Sequence, residues 1–212
     1  MSFRTRVKIC GITRVADGLQ AAALGVDAIG LVFYEKSPRC VAVDEAAEIC
    51  RQLPALVTRV GLFLNPERER VGQVLDQVGL DLLQFHGTES AEFCRSFERP
   101  YIKALGVADN GQLAEQCAAY TDAQGILLDS HRVGAAGGTG EVFDWSVIPP
   151  ELRERIILAG GLQPGNVAQA IRQVQPYAID LSSGVESAPG IKDAALMAQL
   201  MKEVKRVDCE HD

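Results

Sequence analysis

Eight short apolar runs recur along the chain, and their even spacing constrains the fold more than any other feature. They are Arg6–Ile9, Ala28–Val32, Thr58–Leu64, Leu82–Phe85, Tyr101–Ala104, Gly125–Leu128, Ile156–Leu158 and Ala178–Leu181. Their first residues lie 19 to 31 positions apart, which leaves room for one strand and one helix in each interval. Such alternation predicts parallel strands joined by helical crossovers. Eight units predict an α/β fold, a single-domain (β/α)8 TIM barrel over residues 1–207.

Helical periodicity in the intervals supports this interpretation. One set of apolar residues spaced for a single helix face is Val167, Ala170, Ile171 and Val174, and another is Ala194, Met197, Leu200, Met201 and Val204. The second set predicts a closing helix, after which residues 208–212 read as a polar tail. Thr13 is predicted to cap the first helix, whose apolar stripe would be Val15, Ala16, Leu19, Ala22 and Ala23. A doubly wound open sheet is the alternative, but the G-x-G-x-x-G turn it needs is missing.

Composition narrows the functional classes. The chain of 212 residues has 47% hydrophobic residues and a net charge of −7, which argues against nucleic acid as a partner. The sequence holds no apolar run near the ~18 residues of a membrane span, and MSFRTRVKIC has no apolar core of a signal peptide. The six cysteines lack zinc-site spacing and only three histidines occur, so we expect reduced thiols in the cytoplasm and no metal site.

A thiol stands where the first strand turns into a helix. Cys10 follows Arg6–Ile9 directly, and Lys8 lies two positions earlier, so both side chains point to one face of the strand. In α/β folds the carboxyl ends of strands carry the chemistry. Cys10 is therefore a candidate acid–base group, although a free cysteine more commonly fills space in a core.

Two glycine turns follow adjacent predicted strands. Gly160 and Gly161 come after the seventh strand, and Ser183 and Gly184 come after the eighth. Bare backbone N–H groups at such turns can approach an anion, and a helix N-terminus adds partial positive charge. Either turn alone would be an ordinary tight turn, but together they predict a phosphate site of a barrel.

Further candidates lie at other strand ends. Asp129 ends the sixth run, roughly opposite Cys10 in an eight-stranded ring, and the two could form an acid–base pair across the mouth. Arg39, the one arginine in the loop after strand two, could hold a carboxylate through its planar fork. Lys8, His86 and Asp180 are further candidates for lining the mouth.

These features occur together with a set of ordered motifs. They are Lys8-Ile9-Cys10-Gly11-Ile12-Thr13, Phe33-Tyr34 with Ser37-Pro38-Arg39, Gln84-Phe85-His86-Gly87, Leu127-Leu128-Asp129, Gly137-Gly138-Thr139-Gly140 with Phe143-Asp144-Trp145, Ala159-Gly160-Gly161-Leu162 with Asn166-Val167, and Asp180-Leu181-Ser182-Ser183-Gly184-Val185-Glu186 with Pro189-Gly190 and Lys192-Asp193. Each motif is weak alone. In this order, from about Val7 to about Met201, the chain closely resembles the phosphoribosylanthranilate isomerase family of tryptophan biosynthesis.

The resemblance implies a TIM barrel that uses no cofactor and no metal. It implies an Amadori rearrangement of N-(5-phosphoribosyl)anthranilate to 1-(2-carboxyphenylamino)-1-deoxyribulose 5-phosphate, in a monomer or homodimer. It carries the general base onto Cys10, the general acid onto Asp129 and the anthranilate contact onto Arg39, with phosphate at Gly160–Gly161 and Ser183–Gly184. This chemistry needs Cys10 as thiolate and Asp129 as acid, and Lys8 would favour the thiolate.

Three alternatives stay open on the residues alone. The histidine-pathway sugar-phosphate isomerase resembles a barrel with aspartates on strands one and six, whereas strand one here offers Cys10. A pentose-phosphate epimerase would want several metal-binding histidines at strand ends, and only His86 is so placed. A catalytically silent phosphosugar-binding barrel could keep the glycine turns without needing Cys10, Asp129 and Arg39 together.

Overall fold

The computed structural model describes residues 4–107, 113–130 and 143–210. Eight parallel strands close into a barrel in the order of the chain, with β1 paired to both β2 and β8. The strands are β1 (Arg6–Cys10), β2 (Ala28–Val32), β3 (Thr58–Phe63), β4 (Leu82–Phe85), β5 (Tyr101–Gly106), β6 (Gly125–Asp129), β7 (Ile156–Leu158) and β8 (Ala178–Leu181). The predicted barrel is confirmed, and the strand limits agree within two residues.

Helices cover the outside of the barrel. They are α1 (Val15–Leu24), α2 (Val43–Gln52), α3 (Arg68–Gln77), α4 (Ala91–Arg95), α5 (Leu113–Ala118), α6 (Val167–Val174) and α7 (Ala194–Asp208). The predicted faces of α6 and α7 are buried against the strands, apart from the exposed Ala194. Between β6 and β7 the described residues form only two 3-10 helices, Trp145–Val147 and Pro150–Arg155. Pro149 and Pro150 lack amide hydrogens, which disfavours an α-helix there.

The first helix differs from its prediction. Its N-cap is Arg14, and Thr13 instead donates its hydroxyl to the Gly190 carbonyl, 2.6 Å away. The face towards the barrel carries Asp17, Gly18 and Ala21, whereas the predicted stripe members Ala16, Leu19 and Ala23 are exposed. Asp17 is buried because its carboxylate accepts from Arg14 and from the Lys192 amide.

The last helix ends later than predicted, so the polar tail is shorter. Asp208 was assigned to a polar tail, but it is the last residue of α7 and accepts hydrogen bonds from the Thr5 amide and hydroxyl. Glu210 pairs with Arg172 and Arg206 on the surface. Residues 211 and 212 lie outside the described residues.

Two apolar layers hold the barrel together. A small cluster fills the lumen: Ile102, Ala104, Leu127, Ile157, Ala159 and Ala178. A larger one packs the outward strand faces against the helices. After β8 the chain forms a short 3-10 turn (Ser183–Val185) and an unpredicted hairpin, β9 (Glu186–Ala188) with β10 (Ile191–Lys192). This hairpin closes one side of the barrel mouth.

Candidate active site

A cavity opens at the carboxyl ends of the strands and gathers most of the candidate residues. Its lining includes Cys10, Arg39, His86, Asp129, Asp180, Gly160, Gly161, Ser183 and Gly184. Lys8, which we expected at the mouth, lies below the lining in the barrel interior and is 4% exposed. The sequence prediction that β1 and β6 contribute to one mouth is thus met in the geometry.

Cys10 ends β1 and lies nearly buried in the floor of the cavity. Lys8 points to the same side, and its Nζ lies 2.8 Å from Asp180 Oδ1 in a buried ion pair. Burial disfavours the charge on Lys8, but the Asp180 carboxylate outweighs this and raises the pKa of the ammonium. A lysine held cationic therefore stands beside the thiol.

The thiol is not pre-ionised by this neighbour. Burial raises the pKa of Cys10, while the charges of Lys8 and Lys192 oppose that rise and Asp180 adds to it. Lys8 acts in the expected direction, because its charge lowers the pKa of Cys10, but the desolvation of the anion exceeds this attraction.

Gly30 on β2 creates the room in which thiol and ammonium meet. It is paired in register with Cys10. A Cβ atom at Gly30 would lie 2.7 Å from Cys10 Sγ and 3.1 Å from Lys8 Nζ. Gly30 had no role assigned from sequence, although a glycine inside a strand is itself a signal of close approach.

Asp129 ends β6 and faces His86 from β4. His86 Nε2 lies 3.6 Å from Asp129 Oδ2, and the two side chains are 17% and 13% exposed. Ser130 Oγ lies 3.4 Å from Asp129 Oδ1. Gln84, below His86 on the same strand, is fully buried, and its Nε2 lies 3.2 Å from His86 Nδ1. Gln84 stands in one of the ordered motifs, but nothing in the sequence assigns it a role.

Arg39 enters the mouth already paired. Its Nε and Nη2 donate to Glu186 at 2.9 and 2.8 Å, and the Lys192 ammonium donates to the same carboxylate at 2.7 Å. Burial works against the charge of Glu186, but bonds from Arg39 and Lys192 lower its pKa. Glu186 and Lys192 were also given no role from sequence, because both lie on the unpredicted hairpin.

The two glycine turns lie side by side. Gly160 and Gly161 adopt φ of 82° and 64°, which favours glycine. A Cβ atom at Gly184 would collide with the Leu162 carbonyl, so the turn after β8 touches the turn after β7. Asn166 donates from Nδ2 to Gly161 O and accepts from Gln163 N, which fixes the first turn. Backbone amides of both turns border one end of the cavity.

Three further expectations concern metal binding, the loop after β6 and membrane spans. Within the described ranges, no group of three or more His, Cys, Asp and Glu side chains has metal-site geometry. The glycines of Gly137-Gly138-Thr139-Gly140 and His131 lie outside the described residues. No helix in the described part of the chain has the length and apolarity to cross a membrane.

Barrels of this kind bind their substrates over the carboxyl ends of the strands. The thiol of Cys10 and the carboxylate of Asp129 share that mouth here, the arrangement of a (β/α)8-barrel enzyme. The family model for N-(5'-phosphoribosyl)anthranilate (PRA) isomerase matches residues 7–203, and the chain belongs to this family. A relative from Pseudomonas fluorescens with that name is 57% identical over 201 residues, 95% of this chain and 96% of its own.

Solved structures give the same assignment. A phosphoribosylanthranilate isomerase from Thermotoga maritima is 43% identical, with a TM-score of 0.86 over 95% of this chain and 99% of its own. Another isomerase structure, 42% identical with a TM-score of 0.83 over 95% of this chain and 99% of its own, holds reduced 1-(o-carboxyphenylamino)-1-deoxyribulose 5-phosphate. The activity of this chain is the Amadori isomerisation of phosphoribosylanthranilate in tryptophan biosynthesis. The histidine-pathway isomerase, the pentose-phosphate epimerase and the silent phosphosugar-binding barrel are therefore not needed to explain this chain.

Proposed function

We propose that this isomerisation is carried out by Cys10 as general base and Asp129 as general acid, without a metal or cofactor. The observation that carries this assignment is that both side chains line one cavity from β1 and β6. The acid acts at the ring oxygen and the base at C2, so one bound sugar has to reach both side chains.

The steps follow from these positions. Asp129 gives its proton to the ring oxygen, the C1–O bond breaks, and the nitrogen lone pair forms the C1–N double bond. Cys10 then removes the C2 proton, and the C–H electrons form the C1–C2 double bond while the nitrogen regains its lone pair. The enaminol gains a proton at C1 and loses its C2 hydroxyl proton to give the ketone.

Lys8 supports the second step from beneath the substrate. Its ammonium is held by Asp180 and shares the space over Gly30 with the thiol. The positive iminium nitrogen also favours an anion nearby. Substrate binding expels water from the mouth, which strengthens the attraction between Lys8 and the thiolate as it forms.

Arg39 recognises the anthranilate carboxylate in this proposal. Its Nε and Nη2 hold Glu186, which leaves Nη1 as its outer edge. Arg39, Lys192 and Glu186 together carry one net positive charge at the mouth, which suits an anionic ring substituent.

The phosphate is held by the backbone of Gly160, Gly161, Ser183 and Gly184. The support is that the two turns touch each other and that residues of both line the cavity. Positive φ at the first pair directs bare amides towards an anion without a side chain in between.

We further propose a cytoplasmic enzyme that is a monomer or homodimer. All six cysteines are free, which suits a reducing compartment. A Thermotoga maritima isomerase, 40% identical, is described as dimeric and was solved as generated monomers, so both states are open to this fold.

Turnover of freshly prepared phosphoribosylanthranilate, followed by fluorescence, tests the proposal. Reduced product analogue should protect Cys10 from alkylation and leave the exposed Cys209 reactive. If the enzyme turns over but the analogue does not protect Cys10, then Cys10 does not contact the reacting sugar. Loss of activity after EDTA treatment would contradict the metal-free mechanism.

A further inference from the structure

We propose that Gln84 is a positioning residue that fixes the ring proton of His86 on Nε2, where it faces Asp129. The inference rests on the proposed role of Asp129 as general acid. It assigns His86 the task of stabilising the Asp129 carboxylate that remains once the proton has moved to the ring oxygen.

The contact between the two side chains favours one tautomer. Gln84 Nε2 lies 3.2 Å from His86 Nδ1. An amide nitrogen can only donate, so Nδ1 must accept and the proton of the neutral ring is on Nε2. That nitrogen is the one 3.6 Å from Asp129 Oδ2. The separation is too long for a hydrogen bond in the resting site, and such contacts commonly shorten in the substrate complex.

A glutamine at this depth needs a reason. Gln84 is 0% exposed, and among the described residues its Oε1 has no hydrogen-bond partner. An unpartnered buried polar atom is costly, and an apolar side chain of similar volume would fill the same space without that cost. The bond to His86 is the contact that an apolar residue could not make.

The main chain around His86 is held by other residues. The His86 amide donates to Phe63 O, while the buried Lys103 ammonium and Glu89 hold Gly87 through its carbonyl and amide. Gln84 is therefore not required to place the strand end, and what it adds is the choice of protonated nitrogen.

The electrostatic need for an N–H at this point comes from β8. The Asp180 and Asp129 carboxylates repel each other, and Lys8 from β1 is ion-paired with Asp180. When Asp129 becomes an anion, an Nε2–H donor offsets this repulsion. The other tautomer would present a lone pair to the new anion. No proton is transferred from the ring in this step.

Nitrogen-15 NMR of the whole protein tests the tautomer without using activity. His86→Asn identifies the signal among three histidines. At a pH where the ring is neutral, we expect the Nε2–H form in the unchanged protein. Gln84→Glu offers only acceptors and should move the proton to Nδ1 or charge the ring. Gln124→Glu adds the same charge at the other end of β6 and should change neither.

Kinetics distinguish this role from simple packing. Gln84→Glu and Gln84→Met should lower kcat about 10- to 100-fold with little change in KM, the effect of losing a hydrogen bond to a charged group. An Nδ1–H ring in the unchanged protein, or full kcat in both variants with intact circular dichroism, overturns the inference. Full activity of Asp129→Asn would instead remove the proposed acid, whatever the NMR result.

Discussion

Arg39 and Glu186 form a two-point ion pair across the barrel mouth, at 2.9 and 2.8 Å, and both side chains are nearly buried. Arg39 leaves the loop after β2, and Glu186 begins the hairpin after β8. The pair therefore joins two loops that flank the Cys10 strand, and it orients the guanidinium before any substrate arrives. In the proposed mechanism, substrate recognition by Arg39 thus depends on a residue that need not touch substrate.

Arg39→Ala should weaken substrate binding by about 1.5–3 kcal/mol, the usual value of a hydrogen bond to a charged group. Glu186→Gln keeps the shape of the side chain but removes the charge that holds the Arg39 guanidinium. KM should therefore rise less than in Arg39→Ala. Steady-state KM and kcat measure both effects, with the exposed Arg172→Ala as control. Unchanged kinetics in Arg39→Ala would remove the carboxylate assignment.

Cys10→Ser and Asp129→Asn should each lower kcat by about 10²–10⁴-fold, because each removes a positioned base or acid. Serine keeps the shape of cysteine, but its hydroxyl is far harder to ionise. The measurement is kcat with circular dichroism to confirm folding, and Cys209→Ser at the exposed end of α7 is the matched control. If Cys10→Ser keeps near-normal kcat with chemistry rate-limiting, Cys10 only packs the barrel.

Gly30→Ala should lower kcat while the barrel persists. The added methyl would stand 2.7 Å from Cys10 Sγ and 3.1 Å from Lys8 Nζ, so thiol and ammonium have to separate. Gly72→Ala in α3 meets nothing within 4 Å and should instead stabilise the protein by about 0.5–1 kcal/mol. The free energy of unfolding and kcat of both variants test this difference between the two glycines. Full activity of Gly30→Ala would contradict the prediction.

Gly161→Val should raise KM sharply, because the branched side chain crowds the anion and resists φ of 64°. Gly165→Ala lies in the same loop, and its Cβ would meet nothing within 4 Å. Comparing KM for substrate and Kd for inorganic phosphate isolates the anion site. Equal phosphate affinity in the two variants would place the anion elsewhere.

The Glu186 pair should make stability fall in acid. The pKa of Glu186 is lowered in the folded protein, so the unfolded chain binds its proton first as pH decreases. The stabilisation is present above the ordinary glutamate pKa and is lost as pH drops through the folded value. Thermal unfolding from pH 7 to 3 should show a steeper loss in the unchanged protein than in Glu186→Gln. Parallel curves would mean that the pair contributes nothing.

The sequence by itself determined the barrel and the strand ends. Alternation of apolar runs and helical segments is a local property, and each strand end follows from its own run, so Cys10, Asp129 and the glycine turns could be placed at one mouth. The predicted helix cap at Thr13 and the predicted apolar stripe through Leu19 were wrong. Residues of the hairpin after β8 contact α1 and decide which of its faces is buried.

Only the tertiary structure decided which side chains meet. Gly30 matters because barrel register sets it beside Cys10, and Glu186 and Lys192 matter because the hairpin folds back onto Arg39. The ionisation of Cys10 likewise depends on the balance between burial and the charges of Lys8 and Lys192, which no spacing in the sequence encodes. Pairings between residues distant in the chain depend on closure and register, and the desolvation that sets their charges exists only once the barrel is packed.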